Sequence, residues 1–215
     1  MNQSDDHGTE PVFEFADSAI TKTQGFYLPH WTRENGIYHV VFRLVDSLPK
    51  DVVLLLRDEK AHLLSHHCDQ ELNDVQIRRL NELSSARVSD ALDRGIGECL
   101  LRNSAAAEIM EAVVRHFDKQ RYHLHAWCIM PNHVHTVLQP IAPFKLPDIT
   151  HSWKSYSAHA INKALGRTGS LWHKESYDHL IRTEQSYRRI IQYVLDNPAR
   201  AGLRNWKWVG AVEID

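Results

Sequence analysis

The chain has 215 residues, 43% hydrophobic and 24% charged, with a net charge of −2, a composition that fits one soluble globular domain with a substantial core. No run approaches the ~18 apolar residues of a membrane span, and residues 1–20 lack the basic start and apolar stretch of a secretory leader, so a cytoplasmic protein with no membrane partner is expected. Three cysteines without metal-type spacing fit reduced thiols.

In chain order, residues 1–24 read as an acidic arm, 25–208 as one domain and 209–215 as a tail. GIYHVVFRLV at 36–45 is rich in β-branched and aromatic residues and predicts a strand. Helix formers dominate 50–94, with breaks at Asn73–Asp74 and at DRGIG (93–97), and a helical insertion at about 50–103 is expected. NSAAAEIMEAVVRHFDKQ (103–120) predicts a helix capped by Ser104, with Ile109, Met110, Val113, Val114 and Phe117 as its apolar stripe. YHLHAWCIM (122–130) and HVHTVLQ (133–139) predict two strands joined by a tight Pro131–Asn132 turn. SWKSYSAHAINKAL (152–165) predicts a helix ending at Gly166, LWHKESYDHLIR (171–182) an extended segment, and EQSYRRIIQYVLD (184–196) a helix capped by Thr183. Leaving out the insertion, the order is β-α-β-β-α-β with a final helix, which predicts an α+β fold with a ferredoxin-like antiparallel sheet.

Side chains at i and i+2 of a strand share a face, so His133 and His135 project side by side while Val134, Thr136 and Leu138 face the other way. Two neutral imidazoles so placed can hold a divalent metal, or they are ordinary members of a chain with 15 histidines. On the last helix the apolar stripe is Tyr187, Ile190, Ile191, Val194 and Leu195. Tyr193 lies roughly 130° from its centre by helical geometry, on the side of Ser186, Arg189 and Asn197. Pro198 biases Asn197 away from helical dihedrals, so the helix is expected to stop there and leave the carboxamide free as an oxygen ligand. Tyr193 then serves chemistry or packs on a neighbour.

Charge is unevenly spread. Residues 1–20 carry five acids and no Lys or Arg, whereas 151–208 carry ten Lys/Arg against four Asp/Glu. The basic third is a solvated surface or a footprint for a phosphate backbone.

The combination of MPNHVH (130–135), GRTGSLWHKESYDHLIR (166–182) and YVLDNPARAGL (193–203) resembles the REP-associated tyrosine transposases. These are a bacterial branch of the single-strand transposases that share a histidine-hydrophobic-histidine motif and one catalytic tyrosine. LPHWTRENGIYHVVFRL (28–44) is similar to that family's first strand, and the likeness covers about residues 25–208.

The resemblance implies that His133 and His135 ligate a divalent metal, Mg or Mn, and that Tyr193 is the nucleophile. It gives Asn197 the position that completes the metal site, where related insertion-sequence enzymes usually carry glutamine. The implied activity is cutting and rejoining of single-stranded, hairpin-forming DNA through a covalent 5′-phosphotyrosine with a free 3′-hydroxyl. Rejoining then needs no ATP, and no Walker-type motif occurs. Lys154, Arg167, Lys174, Arg182, Arg189 and Arg200 are expected on the DNA backbone, together with Lys163, Arg188, Arg204 and Lys207. Trp206 and Trp208 are expected to stack unpaired bases, and Trp153 and Trp172 to pack in the core. Two other readings stand beside this one: a non-catalytic hairpin-binding protein of the same fold, and a metal-dependent phosphodiesterase that activates water. The resemblance implies a monomer or a homodimer.

Overall fold

The computed structural model describes residues 21–24, 29–55, 58 and 88–212. Most of the expected acidic arm and the middle of the expected insertion lie outside the described residues; 50–55 and 88–93 are helical. Strands β1 (Thr21–Gln24) and β2 (Pro29–Thr32) pair with each other. The main sheet contains β3 (Ile37–Leu44), β4 (Tyr122–Ile129), β5 (His133–Pro140), β6 (Trp172–Ile181) and β7 (Val209–Ala211), in the order β6-β3-β5-β4-β7. Every pairing is antiparallel. Helix α1 (Ser104–Arg115) links β3 to β4, α2 (Leu146–Ala164) links β5 to β6, and α3 (Glu184–Arg200) follows β6. Without β7 the strand order is that of a β-α-β-β-α-β ferredoxin-like sheet, as the element order predicted.

The two faces of the sheet carry separate cores. Tyr38, Val40, Phe42, Val134, Leu138, Leu124, Trp127 and Ile129 pack with α1 and α2. Ile37, Ala126, Cys128, Met130 and Val137 pack with Tyr187 and Val194 of α3 on the other. Strand β5 is therefore covered on both sides, and all of His133–Leu138 is buried. On β4 the two faces are reconciled by an irregularity between Leu124 and Ala126, which places His125 as the extra residue.

Several boundaries differ from the expectations. Asn103, not Ser104, caps α1: its side chain accepts from the backbone N–H groups of Ala105 and Ala106. Helix α1 ends at Arg115, and α2 begins at Leu146 with Pro147 in its first turn, where a missing N–H costs nothing. Helix α3 does not stop at Asn197 but runs to Arg200 with Pro198 inside it. A proline this near the end removes one internal hydrogen bond, and donors from beyond close the turn: Ala201 N–H to the Asn197 carbonyl at 3.1 Å and Leu203 N–H to that of Pro198 at 2.8 Å. Thr183 caps α3 as expected, its hydroxyl accepting from Ser186 N–H. No helix among the described residues is long and apolar enough to cross a membrane.

Helix α3 is tied to the sheet by a buried contact, Tyr187 Oη to His125 Nδ1 at 3.0 Å. Burial raises the Tyr187 phenol above its usual range, so it keeps its proton. Burial, helped by His123 and opposed by Asp118, pushes His125 down to about 4. The native state thus binds this proton more weakly than the unfolded chain. The associated stability is fully present above about pH 6.5 and is lost as pH falls towards 4, up to about 3 kcal/mol. Denaturant unfolding at a series of pH values should show this decline, and His125→Gln should flatten it by about that amount.

Candidate active site

The face of the sheet under α3 is where the histidines meet. In β3 the alternation Tyr38, Val40, Phe42 points into one core, so His39, Val41 and Arg43 point to the other face. The β3–β5 register sets Val41 opposite His135 and Arg43 opposite His133. His39 lies diagonal to His135: the rings stack with centroids 5.3 Å apart, and His39 Nε2 is 3.1 Å from His135 Nδ1. The Nε2 atoms of His133 and His135 are 2.8 Å apart. Asn197, one turn beyond Tyr193 on α3, is fully buried and puts its Nδ2 3.2 Å from His135 Nε2. The rings of His135 and Tyr193 meet edge to face at 5.6 Å, and those of His39 and Tyr193 at 6.1 Å. One chain therefore brings together His133, His135, Asn197 and Tyr193.

Tyr193 is not on a face turned away from the packing stripe. Asn197 and Pro198 are buried as well as Tyr187 and Val194, so the contact face of α3 is rotated towards Asn197 and Tyr193 sits at its edge, half-buried. Its hydroxyl lies 2.7 Å from Ser89 Oγ.

The proton on His133 follows from its neighbour. Asn132 Nδ2 faces two carbonyls, Leu92 O at 3.2 Å and Ile96 O at 3.1 Å, which only accept. Its Oδ1 therefore faces His133 Nδ1, at 2.7 Å. An amide oxygen cannot donate, so Nδ1 carries the hydrogen and Nε2 presents a lone pair. Burial first, then His39, pushes His133 down to about 3. His39 and His135 are likewise held well below the usual imidazole range, by burial first and then by neighbouring imidazoles. The site presents three neutral rings.

His135 has no tautomer that satisfies every neighbour. With hydrogen on Nε2 it faces the Asn197 amide N–H. With hydrogen on Nδ1, bonded to His39, two lone pairs oppose each other across 2.8 Å. Asn197 Oδ1 is buried and has no partner, and a half-turn of the carboxamide exchanges it with Nδ2. Two imidazole lone pairs and an amide oxygen are a donor set that suits a divalent cation. Among the described residues no three His, Cys, Asp or Glu side chains form a ready metal centre; here the third donor would be the amide.

The expected DNA contacts divide. Lys174, Arg182, Arg189 and Arg200 are exposed, and the Arg200 guanidinium lies 5.4 Å from the centre of the Tyr193 ring. Arg182 and Arg189 are near enough to His179, which stands opposite His39 across β6, to help depress it. Lys154 is half-buried, donates to the Lys174 carbonyl at 2.7 Å, and is pushed down to about 8 by burial. Arg167 is ion-paired with Glu98. The two late tryptophans are not free platforms. Trp208, 6% exposed, belongs to the core with Trp153 and Trp172, and Trp206 is half-buried with its indole N–H on the Ile129 carbonyl at 2.8 Å. The reason is β7: its pairing with β4 draws the residues just before it against the sheet, where the Trp208 carbonyl accepts from Ile129 N–H at 2.8 Å. Cys99 and Cys128 are free and buried, and Cys128 is pushed up to about 12, chiefly by burial.

Sequence reasoning missed His39, Ser89 and the role of Asn132. The strand alternation placed His39 on the side of Arg43, a usable signal. Ser89 reaches Tyr193 across 104 positions, and nothing local marks it.

Residues 98–197 match the family model for IS200-like transposases. No curated protein matches. A solved structure of a REP-associated tyrosine transposase bound to a REP hairpin is similar at 15% identity, covering 88% of this chain and 81% of that one, with a TM-score of 0.45. A Deinococcus radiodurans protein named as a transposase candidate is similar at 16% identity, covering 82% and 98%, with a TM-score of 0.32.

The Asn132 geometry makes a prediction free of any ligand. Long-range nitrogen–proton NMR spectra should find His133 hydrogenated at Nδ1. Asn132→Ala should abolish that preference and destabilise the fold by about 1–3 kcal/mol, through a ring N–H left without a partner and the loss of the amide donor to two carbonyls.

Proposed function

We propose that this chain, whose residues 98–197 match the family model for IS200-like transposases, is a single-strand DNA transposase of the REP-associated kind, with Tyr193 as nucleophile. The observation that carries the reading is the packing of Tyr193 against His135 and His39, beside the buried Asn197, all within one chain.

The substrate is a single strand flanking or forming a DNA hairpin. Tyr193 Oη attacks the phosphorus, a P–O bond to tyrosine forms, and the P–O3′ bond breaks. The phenol gives up its proton and the departing 3′ oxygen gains one, leaving a 5′-phosphotyrosine and a free 3′-hydroxyl. Rejoining is the reverse attack by a 3′-hydroxyl, so no energy cofactor enters. Arg200 and Arg189 lie along α3 on either side of Tyr193, where they can hold the phosphates around the scissile one. His133, His135 and Asn197 would hold a divalent ion, Mg or Mn, which when bound polarises a non-bridging phosphate oxygen and orients the bond to be cut. Asn132 and His39 fix the ring orientations of the two ligating imidazoles. Lys174 and Arg182 extend the cationic surface, while Lys154 and Arg167 are engaged with the protein itself.

Labelled single-stranded hairpin DNA incubated with the protein and Mg or Mn should give a covalent protein–DNA band on denaturing gels, absent in Tyr193→Phe. His133→Ala and His135→Ala should abolish that band and leave hairpin affinity within about threefold, roughly 0.6 kcal/mol. Binding without any cleavage by the native protein would favour the hairpin-binding reading. Cleavage that survives Tyr193→Phe would favour activated water.

Because tyrosine and histidines meet in one chain, each monomer should be competent. A mixture of Tyr193→Phe and His135→Ala proteins should then remain inactive. Adduct restored by mixing would mean that the tyrosine helix is exchanged between subunits.

A further inference from the structure

We infer that Ser89 is a positioning residue for the nucleophile, and that the segment 88–97 aligns the Tyr193 hydroxyl with the histidine pair. This rests on the reading of Tyr193 as nucleophile. Ser89 precedes residues 98–197, so it lies outside the part matched by the family model.

The contact is short: Ser89 Oγ to Tyr193 Oη is 2.7 Å. Among the described residues the helical piece that carries Ser89 spans 88–93. It is anchored from outside. Ala91 and Leu92 are buried at 3% and 2% exposure. The Leu92 and Ile96 carbonyls accept from Asn132 Nδ2. Beyond them, Glu98 N–H donates to Asp46 Oδ2 at 2.7 Å. Gly97, at φ +91°, leaves space for Asp46: a Cβ there would stand 2.7 Å from the Asp46 carbonyl oxygen. The Asn132 carboxamide that receives this segment also fixes His133 Nδ1. The nucleophile's oxygen and one metal-facing imidazole are thus referenced to a single stretch of ten residues.

The chemical consequence follows from the direction of the bond. A serine hydroxyl accepts from a neutral phenol and donates to a phenolate. The contact selects one rotamer of Tyr193, whose ring stands edge-on to His135 and His39.

The test is the single-turnover rate of covalent adduct formation on labelled single-stranded hairpin DNA, over a range of pH, for Ser89→Ala, Ser89→Val and Ser89→Thr, with Tyr193→Phe alongside. Ala and Val should slow the adduct step by about 10- to 100-fold. Thr, which keeps the hydroxyl in the shape of Val, should stay within about threefold of the native rate. Hairpin affinity should be the same in all three. A native rate in Ser89→Ala, or equal losses in Val and Thr, would overturn the inference while leaving Tyr193 as the nucleophile. Cleavage by Tyr193→Phe would overturn both.

Discussion

The side chain on which the site depends lies beneath it, out of reach of solvent. Asn132 is fully buried and makes three hydrogen bonds, to Leu92 O, Ile96 O and His133 Nδ1. Buried polar groups are costly unless paired, and here pairing fixes three things together: the 88–97 segment, the turn between β4 and β5, and the lone pair of His133. The backbone of that turn is used as fully, with the Asn132 carbonyl accepting from Leu44 N–H and the Pro131 carbonyl from Leu101 N–H. A two-residue turn that would ordinarily face water is here a buried junction.

From that junction the rest of the geometry follows. Strand β5 is covered on both faces, so its alternation separates two environments rather than inside from outside. Val134 and Leu138 serve the core under α1 and α2. His133 and His135 occupy the other face, where α3 supplies Asn197 and Tyr193. Close packing leaves these side chains little freedom. Some of that order is at the expense of stability, since Asn197 Oδ1 is buried without a partner. Unsatisfied groups of this kind concentrate where a ligand completes them.

Elements with a strong local period were legible: α1 from its apolar stripe, β4 and β5 from their alternation, α3 from its cap and its 3.6-residue pattern. So was the convergence of His133, His135, Tyr193 and Asn197, because family motifs marked them. What failed was decided by distant contacts. The bias that Pro198 imposes on Asn197 is local, whereas the burial of both residues against the sheet is tertiary and prevailed. Trp206 and Trp208 looked terminal until β7 joined β4. His39 and Ser89 meet their partners over separations of 96 and 104 residues, which no window of sequence displays.

Charge around this site is sorted between buried imidazoles and exposed guanidinium groups. Burial keeps His39, His133 and His135 uncharged, so the imidazoles offer lone pairs but no attraction to an anion. Protonated, they would repel one another and any cation they are to hold. Under the proposed chemistry attraction would come from permanent cations at the rim, and two of them ride on the helix of Tyr193: Arg200 over its ring and Arg189 one turn before it. Guanidinium groups stay charged at any working pH. Tyr193 and these two guanidinium groups therefore share one helix, held to the sheet through Tyr187 and His125. A displacement of α3 would withdraw both together from the neutral histidines, so under the proposed chemistry the docking of that helix would set the reach of the Tyr193 hydroxyl.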